Sequence, residues 1–461
     1  MIFARILGCP CVIPVEGFSR NINAYSASCV NQEENRMFRL NHIIGTCILV
    51  TAFLPTISAH AATYYVSPTG NDAYTCTQAK YGSTPKKTIP AGVKCLVGGD
   101  TLIIKAGKYI GQQIYNPPTG SASAYTVIKG DPAGARPILD PNGQSYQMGF
   151  LCDRGAACRY IEIRHLEITT PYAGIKLTGP TTLGYPHHVR IIDNVIHDTV
   201  GSAFSTGTSD TGYVGGDHLI QGNEFYNIGI GTPYYAPGVN TIYNPGNRTI
   251  VEKNKFHHLA NGIGVWYANK LIQNVTIRSN VFYDIGRTSI NPWQKGTYNY
   301  SGVHVSVPGG GHKIYNNIIY RSGDEAGFGG IKISKANSSD SNQIYNNTIH
   351  DIKNSSASAI KITASTGTHL VKNNIAYLAG KGISGGSQSN NLNTNPSFYN
   401  AAKGDFRVLS GSAAIDKGVI LTQVPIDFAG AQRPAGSSHD IGVYETGASS
   451  ALAAPTSLSA Q

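Results

Sequence analysis

The chain of 461 residues is expected to be an all-β solenoid, and three observations predict it. First, an asparagine recurs at Asn194, Asn223, Asn254, Asn280, Asn317, Asn347 and Asn374, at spacings of 29, 31, 26, 37, 30 and 27 residues. Each is followed three residues on by an aromatic or imidazole ring: His197, Tyr226, His257, Tyr283, Tyr320, His350 and Tyr377. Self-similarity at such a period marks a repeat architecture. Second, the segments between these asparagines read as short runs of alternating apolar residues broken by turns, which is strand patterning. Third, Gly 53, Tyr 27 and only 13% charged residues suit a turn-rich β protein, and no long helical period runs through the chain. One such unit cannot bury its apolar face alone; stacked units build a continuous core.

The pattern resembles the right-handed parallel β-helix of the pectate-lyase-like superfamily over roughly residues 64–445. The resemblance implies a single-stranded right-handed parallel β-helix with three strands per coil and an asparagine stack in one tight turn. Asparagine suits that turn because it tolerates left-handed backbone and its amide can bond to the coils above and below. The resemblance is specific for fold and weak for chemistry, since the superfamily holds lyases, hydrolases, epimerases and non-catalytic adhesins.

Taken in order, residues 1–36 read as an upstream extension from a mis-assigned start. Residues 37–61 read as a secretory signal: Met37 and Arg39 open it, an apolar run over 43–54 is too short to span a bilayer, and Ala59-His60-Ala61 fits a cleavage site. The expected product is secreted or periplasmic, begins near Ala62, inserts stably in no membrane and acts as a monomer. Its four cysteines suggest disulfides, with Cys76–Cys95 and Cys152–Cys158 favoured by proximity in sequence. From residue 62 onward there are 32 basic and 23 acidic residues, a net of +9. That field favours an anionic partner, and in this compartment an acidic polysaccharide fits better than nucleic acid.

Residues 62–150 are assigned to an N-terminal cap and first coils, with a short helix expected over 91–97. Residues 151–390 are assigned to the repeats. Residues 391–445 resemble the closing segment of many bacterial β-helix proteins and are read as a C-terminal cap whose acidic residues are structural. Residues 446–461 read as a flexible Ala/Ser-rich tail.

In the resembled fold the asparagine turn joins the second and third strands, so the first strands can be aligned. The third, outward position of each then gives Lys176, Ser205, Asn240, Gly264, His304, Lys332 and Lys361. The fifth position includes Thr178, Trp266, Ser306, Ser334 and Thr363. His304, Lys332 and Lys361 should form a basic stripe. Loops over 228–237, 285–301 and 322–329 bring Tyr234, Tyr235, Arg287, Trp293, Lys295, Tyr298, Tyr300, Asp324, Glu325 and Phe328 toward it. Function usually sits on such loops. Aromatic faces stack on sugar rings, and Arg or Lys pairs with uronate carboxylates. The recurring His/Tyr position is read as stacked rings that stabilise the solenoid, not as a metal site.

Three readings follow. A polysaccharide lyase would use Lys332 or His304 as base. Arg287, Lys295 or Lys361 would hold substrate beside Trp266, Tyr235, Trp293 and Asn240, with Ca²⁺ on Asp324 and Glu325. The aspartate cluster that marks Ca²⁺ sites in pectate lyases is not found. A glycoside hydrolase would need two carboxylates, for which Asp210, Asp217 and Asp284 are candidates. A non-catalytic glycan-binding protein would need only the aromatic and basic groove.

Overall fold

The asparagines do stack, and the stack is longer than the motif count. The computed structural model describes residues 61–142, 147–153, 156–169, 172–178, 184–207, 215–229, 239–266, 271–286, 301–323 and 329–447. Within them Asn194 Oδ1 accepts from Leu166 N, and each later asparagine accepts from the backbone and amide of the one before it. Each amide also donates to a backbone carbonyl in the second strand of the preceding coil, as Asn280 Nδ2 does to Val251 O at 2.9 Å. The column continues through Asn317, Asn347 and Asn374 to an eighth member, Asn391. Asn391 escapes the periodicity because the last coil is short, with only 17 residues from Asn374.

Three parallel sheets wrap the core, of ten, twelve and ten strands. The first-strand sheet carries Val303–Ser306 and Ile331–Lys335, the second-strand sheet Thr276–Arg278 and Lys313–Tyr315, and the third-strand sheet Val281–Ile285 and Ile318–Ser322. The asparagine turn joins the second and third, as expected. Inward residues form columns in register: Ile196, Phe225, Phe256, Phe282, Ile319 and Ile349 follow one another, and all are wholly buried. The three phenyl rings stack at 5.0 and 4.5 Å. The outward His/Tyr rings form a parallel stack from His197 to Tyr320, with centroids 4.6 to 5.4 Å apart. The described residues thus form a parallel β-helix.

The residue before each asparagine takes left-handed φ, including Asp193, Lys253, Ser279 and Asn316, and so does the residue after each ring, including Asp198, Asn227, His258 and Asp284. Turning sharply there without glycine costs about 1 kcal/mol per residue, which the stacked hydrogen bonds offset.

Both expected disulfides are present, Cys76–Cys95 and Cys152–Cys158, with Cα separations of 5.4 and 6.2 Å. The helix near the start spans Ile89–Val93, two residues earlier than expected, because Thr88 accepts from Ala91 N as its cap and Pro90 fits the first turn. Gly92 lets it lie against the core end, since a Cβ there would meet Val66 at 2.3 Å.

The C-terminal segment does more than close an end. Asn316 donates to Ile426 O, Asn346 to Asp440 O and Gly442 O, and Asn373 to Val419 O, so the segment runs back along the asparagine-turn flank. Phe406 packs edge-on to Tyr320 at 5.1 Å. Its acidic residues are structural: Glu445 is wholly buried against Arg433 at 2.7 Å, and Asp427 accepts from Ala431 N and Glu445 N. Among the described residues no helix is long and apolar enough to cross a membrane. The upstream extension, the signal segment apart from Ala61, and the tail beyond residue 447 lie outside the described residues.

Candidate functional site

The outward column of the first-strand sheet is the candidate site. Cα partners run Lys176, Ser205, Tyr243, Gly264, His304, Lys332, Lys361 without a break. Six strand steps make the column roughly 29 Å long. Six of the seven residues are those the alignment placed there. The correction is Asn240, which pairs with Asn261 and leaves Tyr243 in the column. The burial of Ile242 opposite Ile263 sets this register; aligning on Gly238 slips it by three residues and would have turned Ile242 outward. Asn240 is nearly buried, and its amide fills the space above Gly264, where a Cβ would sit 2.5 Å from its Cγ. A second correction concerns Ser334: a bulge pairs Ser306 with Lys335 and frees Ser334 to reach sideways.

That bulge serves the column. Ser334 Oγ lies 2.9 Å from His304 Nε2 and fixes the ring. Burial, and next the Lys332 charge, push His304 down to about 4, so the imidazole is neutral at pH 7. Burial first and the Lys361 charge second hold the Lys332 ammonium below the usual lysine range. Lys332 is only 8% exposed. At the other end, burial lowers Lys176 while the Asp153 carboxylate beside it opposes that shift.

Trp266 stands out at 44% exposed, with its ring edge-to-face on Tyr243 at 6.2 Å. The pair forms an apolar platform beside Gly264, two strand steps from Lys332. Sequence reasoning missed Tyr243, although the Ile242–Tyr243 step matching Ile263–Gly264 was a usable signal.

No Asp or Glu occurs in any of the ten strands of this sheet. Asp217 is instead held by Arg248 through two bonds of 2.7 and 2.6 Å, and Asp284 by Arg321 on the third-strand sheet. The described hydrolase candidates therefore do not face the groove, and Asp210 lies outside the described residues. Tyr235, Arg287, Trp293, Lys295, Asp324 and Glu325 lie outside them too, as do Tyr234, Tyr298, Tyr300 and Phe328. Among the described residues no three or more His, Cys, Asp or Glu gather in a metal-binding arrangement. The residues expected to hold Ca²⁺, Asp324 and Glu325, lie outside the described residues.

No family model and no curated protein matches the sequence. Solved structures do match. The chain is similar to pectate lyase Pel9A with a TM-score of 0.55 and 14% identity, over 83% of this chain and 96% of that one. A rhamnogalacturonan lyase matches with a TM-score of 0.46 and 14% identity, over 74% and 91%. A lacto-N-biosidase from Eubacterium ramulus matches at 0.47 and 12%, over 72% and 68%. The likeness to Pel9A shows the parallel β-helix; the two scores below 0.5 carry no argument.

Proposed function

We propose that the protein is a secreted, carbohydrate-active enzyme, a polysaccharide lyase that cleaves a uronate-containing glycan by β-elimination. The observation that carries this reading is the unbroken His304–Lys332–Lys361 column on a sheet face whose strands hold no carboxylate. The Lys176 and Lys361 ends of such a face attract a polyanion, and among the described residues its strands carry no paired acids of the kind hydrolysis requires. Two disulfides suit an oxidising, extracytoplasmic setting.

In this scheme Lys332, in its deprotonated form, removes the proton α to the uronate carboxylate, and the lowered pKa favours that form. The electron pair forms the new C4–C5 double bond as the C4–O bond breaks, and the departing oxygen takes a proton from water. Lys361 and Lys176 draw neighbouring carboxylates into the groove. His304, kept uncharged, spares Lys332 a second adjacent cation and leaves a positioned hydrogen-bonding group at the next step. Trp266 and Tyr243 stack a sugar ring. Arg287, Lys295, Trp293 and Tyr235 are proposed to complete the substrate contacts. The named activity of Pel9A agrees with this reading in class.

The test is incubation with a panel of uronate polysaccharides while following absorbance of the unsaturated product, with and without chelator. Product from any of them supports the proposal. Binding without product would make the protein a glycan-binding β-helix, and loss of product in chelator would point to Ca²⁺ on Asp324 and Glu325.

A further inference from the structure

A second concave site lies off the groove, where the chain enters the second-strand sheet. A cavity of about 260 Å³ opens there among Tyr185, His187, His188, Gly216, Asp217 and Arg248. Two columns of residues explain it. Along one, Arg159, His187, Gly216 and Asn247 pair in sequence from coil to coil. Gly216 lets the next coil pack tightly against it at the cavity wall: a Cβ there would lie 2.3 Å from Asn247 O, so no other residue fits. Along the other, Tyr160, His188, Asp217 and Arg248 all take left-handed φ. The Tyr160 and His188 rings stack at 4.9 Å, and Arg248 grips Asp217 with two bonds.

Asp217, the one carboxylate among the described lining residues, is paired with Arg248. The touching pair His187–His188, with Nδ1 atoms 2.7 Å apart, stands beside it, and the Arg159 charge reaches His187. Arg159 Nε is buried with no hydrogen-bond partner. Burial first, then the His188 and Arg159 charges, hold His187 below the usual histidine range against the opposing pull of Asp217. The volume lies just under the roughly 300–1,000 Å³ of pockets for drug-sized ligands, which suits one sugar ring and not an oligosaccharide. Arg248 retains outward-facing capacity, since its side chain is 60% exposed.

We infer that this notch is a second binding site, for a single acidic sugar unit, with the ring against Tyr185 and its carboxylate toward Arg248 and the His187–His188 pair. It uses none of the groove residues and stands whether or not the groove is catalytic.

The experiment is calorimetric titration of the His304→Ala/Lys332→Ala variant with D-glucuronate, D-glucose and acetate. Saturable glucuronate binding is expected, at least tenfold tighter than either of the others. Adding Arg248→Gln should weaken it at least tenfold. Tyr185→Ala, which leaves the Arg248–Asp217 pair intact, should weaken it too and serves if the Arg248 variant does not fold. No glucuronate binding, equal binding of glucose or of acetate, or indifference to Tyr185→Ala would each overturn the inference.

Discussion

The asparagine turn and the first-strand face are built on the same coils, yet they behave oppositely. In the turn eight successive coils repeat one residue, wholly or nearly buried in the first seven, with each amide bonded to its neighbours. On the face the same step reads Lys176, Ser205, Tyr243, Gly264, His304, Lys332 and Lys361, and no two neighbours before the final pair match. Repetition satisfies what every coil needs, which is a closed turn with no orphaned polar group. Departure from repetition shows where individual coils do something different. The His/Tyr stack on the third-strand sheet belongs with the turn: its rings alternate in chemistry but stack in one geometry, and the C-terminal segment covers part of it.

The comparison breaks most severely at Asn280. Asn280→Leu strands buried Asn254 N, leaves Asn254 Nδ2 only its bond to Ile220 O, and removes the bonds to Val251 O and Asn317 Oδ1. At about 1–3 kcal/mol per stranded group, urea unfolding should show a loss of roughly 3 kcal/mol or more. A loss under about 1 kcal/mol would mean the column is decorative.

Next is Lys332→Ala, which should cut turnover at least about 100-fold with little change in melting temperature, as expected for a positioned base. Turnover of the wild type should rise with pH as the amine loses its proton, with a midpoint below that of an ordinary lysine. Wild-type rates after replacing Lys332 and His304 together would move the chemistry off this face.

Stability should depend on pH through buried imidazoles. Burial pushes His218 to about 3 and His312 and His439 to about 4, beside His304. Unfolded histidine titrates near 6.5, so between that pH and about 4 the unfolded chain binds more protons. Stability from these groups is therefore complete above pH ~6.5 and falls as acid is added. Denaturant midpoints measured from pH 7 to 4 should decline, and His312→Asn should flatten the decline.

The smallest effect is expected at the ends of the face. Lys361→Ala should weaken glycan affinity severalfold at low salt and much less at high salt, because ions screen partly exposed charge. Trp266→Ala should weaken affinity at both, since stacking is not screened. Salt-independent loss at Lys361 would argue for a direct contact in a dry site.

The sequence by itself determined the repeat and favoured both disulfide pairings; with the strand order that the family resemblance implied around the asparagine turn, it also placed six of the seven residues on the face. Stacking enforces the period, alternation assigns inward and outward, and cysteines near in sequence tend to pair. Tertiary structure decided what depends on how one coil meets the next. Burial of Ile242 against Ile263 put Tyr243, not Asn240, in the column. The bulge at Ser334 brought a hydroxyl to His304. Close packing of Gly216 on the Asn247 backbone shaped the wall of the notch beside Arg248. Each is a matter of register between residues 20 to 40 positions apart in the chain. Such register is set by packing across coils, and a single strand's pattern does not contain it.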